Sequence, residues 1–85
     1  MAVILYFSTP TCNPCRAFFP VVQEVCSANQ LHLQKVDASQ DVNAAQQYGV
    51  TSVPTIVVVN NGNELFRHTG TMPKGQLANI LTQFK

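Results

Sequence analysis

Apolar positions in this chain fall into short runs whose spacing changes from one run to the next. Residues 3 to 8 (Val3-Ile4-Leu5-Tyr6-Phe7-Ser8) are almost wholly apolar and rich in strand formers, the pattern of a strand covered on both faces. From Cys12 the period lengthens. Cys15, Phe18, Val22, Val25 and Cys26 recur at three- and four-residue intervals, which predicts one face of a helix ending near Asn29. Pro20 lies inside that pattern and is expected to kink the helix, because proline lacks an N–H and crowds the preceding turn. A second strand is expected from Leu31 to Asp37, with Leu31, Leu33 and Lys35 on one face and His32, Gln34 and Val36 on the other.

Asp41 to Tyr48 reads as a short helix with Ser39 as N-cap and Gly49 as C-cap. Thr55 to Val59 is a β-branched run and hence another buried strand. Asn60-Asn61-Gly62-Asn63 predicts a tight hairpin, since Asn-Gly tolerates positive φ, and leads into a strand from Glu64 to Thr69. The last helix is expected to start at Thr71 with Pro73 in its first turn, burying Leu77, Ile80, Leu81 and Phe84. The order β-α-β-α-β-β-α makes this an α/β chain. A βαβ crossover sets the first two strands parallel and the hairpin sets the last two antiparallel, giving a mixed sheet with helices on both faces.

Composition narrows the picture. A chain of 85 residues is expected to form one domain, residues 1–85. With 46% apolar and 11% charged residues it is too hydrophobic to be disordered. A net charge of +1 with no cluster of Lys or Arg argues against a nucleic-acid or anionic-membrane binder. No window approaches the ~18 apolar residues a membrane span needs. The stretch from Met1 to Phe7 lacks a basic n-region and reads as a strand rather than a signal peptide, so a cytoplasmic location is expected. Three cysteines are an odd count and too few for a disulfide-stapled fold.

The candidate chemistry sits where the first strand gives way to the first helix. In a βαβ setting Cys12-Asn13-Pro14-Cys15 reads as a redox motif. Cys12 would occupy the helix N-terminus, where unpaired N–H groups and the positive dipole end stabilise a thiolate. Cys15 lies one turn in, close enough to attack a mixed disulfide held on Cys12, and Pro14 presets the first turn without adding a competing donor.

With these residues in place the chain resembles the thioredoxin family over nearly its whole length. Cys12-Asn13-Pro14-Cys15 is similar to the family's Cys-Gly-Pro-Cys, and Pro20 matches the proline five residues on. Tyr48-Gly49-Val50-Thr51-Ser52-Val53-Pro54-Thr55 is similar to the segment ending in a cis-proline that faces the redox pair. Asn61-Gly62 matches the hairpin turn and Gly70 the glycine after the last strand. The resemblance implies a thioredoxin fold with strand order 4-3-1-2 and strand 3 antiparallel to the rest. It also implies that Val53 offers its backbone to an extended substrate peptide beside Cys12, in a groove that Thr11 and Gly70 help to shape.

Departures from the family pattern carry information too. The chain starts at the central strand, which leaves a glutaredoxin-sized version of the fold. Thr11 stands where a tryptophan usually precedes the first cysteine. Tyr6 stands where the family has the buried aspartate that helps deprotonate the second cysteine, while Lys35 retains that aspartate's lysine companion. A tyrosine, with a pKa near ~10, is not a ready base at neutral pH. Proton transfer from Cys15 is therefore expected to pass through water, or else Tyr6 only orients it.

Other readings of these residues stay open. Cys12 and Cys15 could bind a metal, but zinc wants four ligands and Cys26, His32 and His68 form no second pair of recognisable spacing. Cys26 lies about 16 Å beyond Cys15 at ~1.5 Å per helical residue, outside disulfide reach, and reads as a core residue. Arg16 and Lys35 either lower a thiol pKa or are simply solvated. Three functions follow. The first is a thiol–disulfide oxidoreductase working through Cys12 and Cys15 on protein disulfides, as a monomer with no bound cofactor, re-reduced by a flavin-dependent thioredoxin reductase. The second is a glutaredoxin-like enzyme drawing on glutathione, favoured by the short length but not by the Asn13-Pro14 order. The third is a binding module with incidental thiols.

Overall fold

A computed structural model describes residues 1–85, and its centre is the strand that the apolar run predicts. β1 (Val3–Ser8) is buried at every residue from Ile4 to Ser8. It is flanked by β2 (His32–Asp37), paired in parallel, and by β3 (Thr55–Asn60), paired antiparallel. β4 (Asn63–Thr69) adds to β3, also antiparallel, giving the order β2-β1-β3-β4 with β3 antiparallel to the rest. That is the 4-3-1-2 order expected from the resemblance, read from the opposite edge.

Strand alternation divides the core. Ile4 and Tyr6 point to one face of the sheet, where α1 (Asn13–Ala28) contributes Phe18, Val22, Val25 and Cys26 and α3 (Lys74–Leu81) contributes Leu77 and Leu81. Leu5 and Phe7 point to the other face with Val36, Val57 and Val59, against Ala44 and Tyr48 of α2 (Val42–Gln47) and its end. Burying each large side chain contributes roughly 1.5–3 kcal/mol, so the strand feeding two clusters at once carries much of the stability. No helix is long and apolar enough to cross a membrane.

Several boundaries differ from the sequence expectation, each for a local reason. β2 starts at His32 rather than Leu31, because the Leu31 N–H closes the end of α1 by donating to the Cys26 carbonyl at 2.9 Å. α2 is capped by Asp41, whose carboxylate accepts from Ala44 N–H at 3.1 Å, and not by Ser39. Ser39 is already engaged: its N–H and hydroxyl both donate to Asp37 Oδ1, at 2.9 and 2.6 Å. Tyr48 is the C-cap of α2, and Gly49 follows it with φ +64°, the left-handed step that suits a glycine. α3 begins at Lys74, not Thr71, since Pro73 is the N-cap and disfavours helical backbone at Met72 before it. Its far end tightens into a 3₁₀ turn over Thr82–Phe84, so Leu77 and Leu81 are fully buried while Ile80 and Phe84 are only partly so.

The hairpin forms where expected. Asn61 and Gly62 both have positive φ, 53° and 82°, between the paired residues Asn60 and Asn63. Arg67 of β4 then ties the sheet to the chain after α2, bonding Glu64 at 2.8 Å and donating to the carbonyls of Tyr48 and Gly49. This fixes the base of the segment that leads into Val53-Pro54.

Candidate active site

α1 begins with Cys12 as its N-cap, in extended backbone at φ −88° and ψ 102°. Its Sγ accepts the Cys15 N–H at 3.2 Å, using one of the donors that a helix start leaves free. Asn13 and Pro14 supply the first turn and are exposed, as is Thr11 before them. Cys12 and Cys15 are joined as a disulfide with Cα atoms 5.2 Å apart. The two sulfurs differ in access: Cys12 is half-buried, whereas Cys15 is 1% exposed.

Beneath this turn lies Tyr6, fully buried on β1. Its hydroxyl donates to the backbone carbonyl of Cys15 at 2.8 Å, and its ring packs on Phe18 and Phe19 with centroids 6.2 and 5.3 Å away. Burial pushes the Tyr6 pKa up to about 12. Tyr6 thus holds the backbone of Cys15 as a hydrogen-bond donor and is no base at neutral pH.

Two clefts meet at this corner. One, of about 540 Å³, is lined by Ser8, Thr9, Pro10, Cys15, Arg16, Lys35 and Asp37. Lys35 reaches across α1 to place its Nζ 4.5 Å from the centroid of the Phe19 ring, a cation–π contact. The other, of about 320 Å³, includes Thr9, Ala38, Val42, Ala45, Val50 and Val53 in its wall. Here the Val53–Pro54 peptide is cis and Pro54 is buried. Gly70, at φ +98°, donates its N–H to the Pro54 carbonyl at 2.8 Å, and the Thr55 hydroxyl donates to the Ser52 carbonyl at 2.6 Å. Cys15 and Lys35 therefore line the first cleft and Val53 the second; Cys12, Tyr6 and Thr11 line neither.

The sequence reading missed Asp37 and Ser8. The available signal was the two-residue strand period, which sets Ser8 beside Tyr6 and Asp37 beside Lys35 on the sheet face that α1 covers. Cys26 is buried and unpaired further along α1, and burial raises its thiol pKa to about 11.

The family model described as thioredoxin matches residues 1–83. The chain belongs to the thioredoxin family. It is 36% identical over 81 residues to thioredoxin 1 of Synechococcus elongatus, spanning 93% of this chain and 76% of that protein. It is 32% identical over 83 residues to the thioredoxin of Haemophilus influenzae, spanning 95% and 78% of the two. Among solved structures, thioredoxin from Fasciola hepatica superposes with a TM-score of 0.89 at 30% identity, covering 99% of this chain and 81% of that one. A thioredoxin variant from Halobacterium salinarum gives 0.90 at 25% identity, covering 98% and 74%. As a thioredoxin with its cysteine pair at bonding distance, the chain is a thiol–disulfide oxidoreductase acting on protein disulfides through Cys12 and Cys15.

Proposed function

We propose that Cys12 is the attacking thiolate and Cys15 the resolving one. Cys12 opens a substrate disulfide and becomes joined to one substrate sulfur; Cys15 then attacks Cys12 Sγ, closes the Cys12–Cys15 disulfide and releases the substrate as a thiol. The observation that carries this order is the difference in access, with Cys12 half-buried at the N-cap and Cys15 only 1% exposed, at the wall of a cleft. Attack requires reach, and a helix N-terminus favours the thiolate.

The substrate is an extended peptide that pairs with the backbone of Val53, next to the cis-Pro54 turn and the Gly70 hydrogen bond, with Thr11 at the entrance. Asn13 and Pro14 shape the turn between the sulfurs. The electrons return from a flavin-dependent thioredoxin reductase to a monomer that binds no cofactor of its own, in the cytoplasm. A free Cys26 fits such a reducing compartment, where unpaired thiols persist.

Insulin reduction by the wild type, Cys12→Ser and Cys15→Ser proteins tests the reading. Cys12→Ser should be inactive, and Cys15→Ser should accumulate a mixed disulfide with insulin on Cys12. Equal turnover by wild type and Cys12→Ser would overturn it. Supplying electrons from thioredoxin reductase or from glutathione, in separate runs, identifies the reductant, and dependence on glutathione would reassign that partner.

A further inference from the structure

The resolving step needs a place for the Cys15 proton, and the residue directly beneath Cys15 does not provide one. Tyr6 already uses its hydroxyl as a donor to the Cys15 carbonyl, at 2.8 Å. The face of the sheet that α1 covers carries, at the ends of β1 and β2, Tyr6 and Ser8 beside Lys35 and Asp37. Ser8, Lys35 and Asp37 line one cleft with Cys15, Thr9, Pro10 and Arg16. The charged groups facing Cys15 are thus Arg16 from α1 and Lys35 and Asp37 from β2, with neutral Tyr6 from β1. Asp37 is the only carboxylate among them.

We propose that Asp37 is the proton acceptor for Cys15, acting through water in the cleft between the start of α1 and the ends of β1 and β2. The inference rests on the order of attack set out above. The cleft is about 540 Å³, room for several waters at ~30 Å³ each. Asp37 Oδ1 accepts from the N–H and hydroxyl of Ser39, and the carboxylate is open to solvent, where water can reach it. Those Ser39 bonds, led by the one from the hydroxyl, hold the Asp37 carboxyl below its ordinary range, so it is ionised at neutral pH and passes on to water any proton it takes up.

The step balances within the known reaction. The Cys15 thiol passes its proton through water to Asp37, and the thiolate attacks Cys12 Sγ. The Cys12–Cys15 bond forms as the bond from Cys12 to the substrate sulfur breaks. The departing substrate thiolate takes up a proton, so the substrate disulfide ends as two thiols and the dithiol as a disulfide. Arg16 and Lys35 favour the transient thiolate by charge, while Asp37 opposes it by charge and favours it by accepting the proton. Those two effects of Asp37 predict opposite outcomes when the carboxylate is removed.

Dithio-bis-nitrobenzoate separates the two steps, because each releases one coloured thiolate: the first when Cys12 attacks, the second when Cys15 displaces the nitrobenzoate held on Cys12. Asp37→Asn keeps an oxygen for the Ser39 turn and should slow the second release on the order of a hundredfold at neutral pH, the lower end for loss of a proton acceptor. Added formate should restore part of that loss in the variant and leave the wild type unchanged. The second release in the variant should also climb with pH as hydroxide takes over. An unchanged second release would overturn the proposal; so would a faster one, which would leave Asp37 a merely opposing charge. A slow release that formate does not restore would make Asp37 structural and also overturn it. If the first release survives Cys12→Ser, the order of attack itself fails, a result distinct from any of these.

Discussion

The two ends of α1 carry cysteines in opposite circumstances. At its start Cys12 caps the helix, half-buried, with the Cys15 N–H directed at its sulfur at 3.2 Å. Near its end Cys26 is 2% exposed among Phe18, Val22, Val25 and Leu31, and burial carries its pKa up to about 11. One helix thus holds one cysteine sulfur partly open to solvent and another closed off from it. On the proposed order of attack, cysteine reactivity here follows position: free N–H groups and solvent at one end, apolar neighbours at the other.

Activity should separate Cys12 from Cys26 by the widest margin. Cys12→Ser should lower insulin reduction on the order of a thousandfold or more, as expected for loss of an attacking group. Cys26→Ser should keep its turnover within about twofold at a temperature where it is folded, because the residue touches no reacting atom. Next comes labelling of the reduced protein. Its thiol pKa of about 11 against an ordinary 9.0 leaves Cys26 with about a hundredth of the usual thiolate at neutral pH. Iodoacetamide should therefore modify Cys12 and spare Cys26 until urea unfolds the chain, as mass spectrometry of the labelled peptides would show.

Stability against pH sharpens the same contrast. Tyr6 and Cys26 both have raised pKa values, about 12 and about 11, so the unfolded chain releases these protons first as pH rises. Their contribution is fully present below pH 9 and is lost as pH rises through the folded values. Urea midpoints should fall steadily above that pH, and Cys26→Ala should flatten part of the slope. Tyr6→Phe removes one buried hydrogen bond and should cost about 1 kcal/mol, some 4–8 °C in Tm for a domain of this size. The smallest effect belongs to a site away from the thiols. Asp41→Ala deletes the cap of α2 for about 1 kcal/mol or less, leaving disulfide exchange intact in an assay below the midpoint of unfolding.

Legibility in the sequence followed physical range. The elements were readable because hydrophobic period, β-branched runs and the Asn61-Gly62 turn are local signals, and so were Cys12 and Cys15, whose chemistry depends on being one helical turn apart. Competition between neighbours was harder to read. Ser39 and Asp41 are both good caps, and only the engagement of Ser39 by Asp37 decides for Asp41. The start of α3 turned on the constraint Pro73 places on Met72. A tyrosine at position 6 is legibly an unsuitable base, but its bond to the Cys15 carbonyl joins residues nine apart on different elements and cannot be read from either.

By itself the sequence determined the order of the elements, the family and the reactive pair, because each is written in residue types at short, regular spacing. Tertiary structure alone decided which other groups face that pair. Parallel pairing of β1 with β2 sets Ser8 opposite Asp37 and brings a carboxylate into the cleft at Cys15. Strand register joins residues far apart in the chain, and a shift of one residue would turn Asp37 to the opposite face of the sheet.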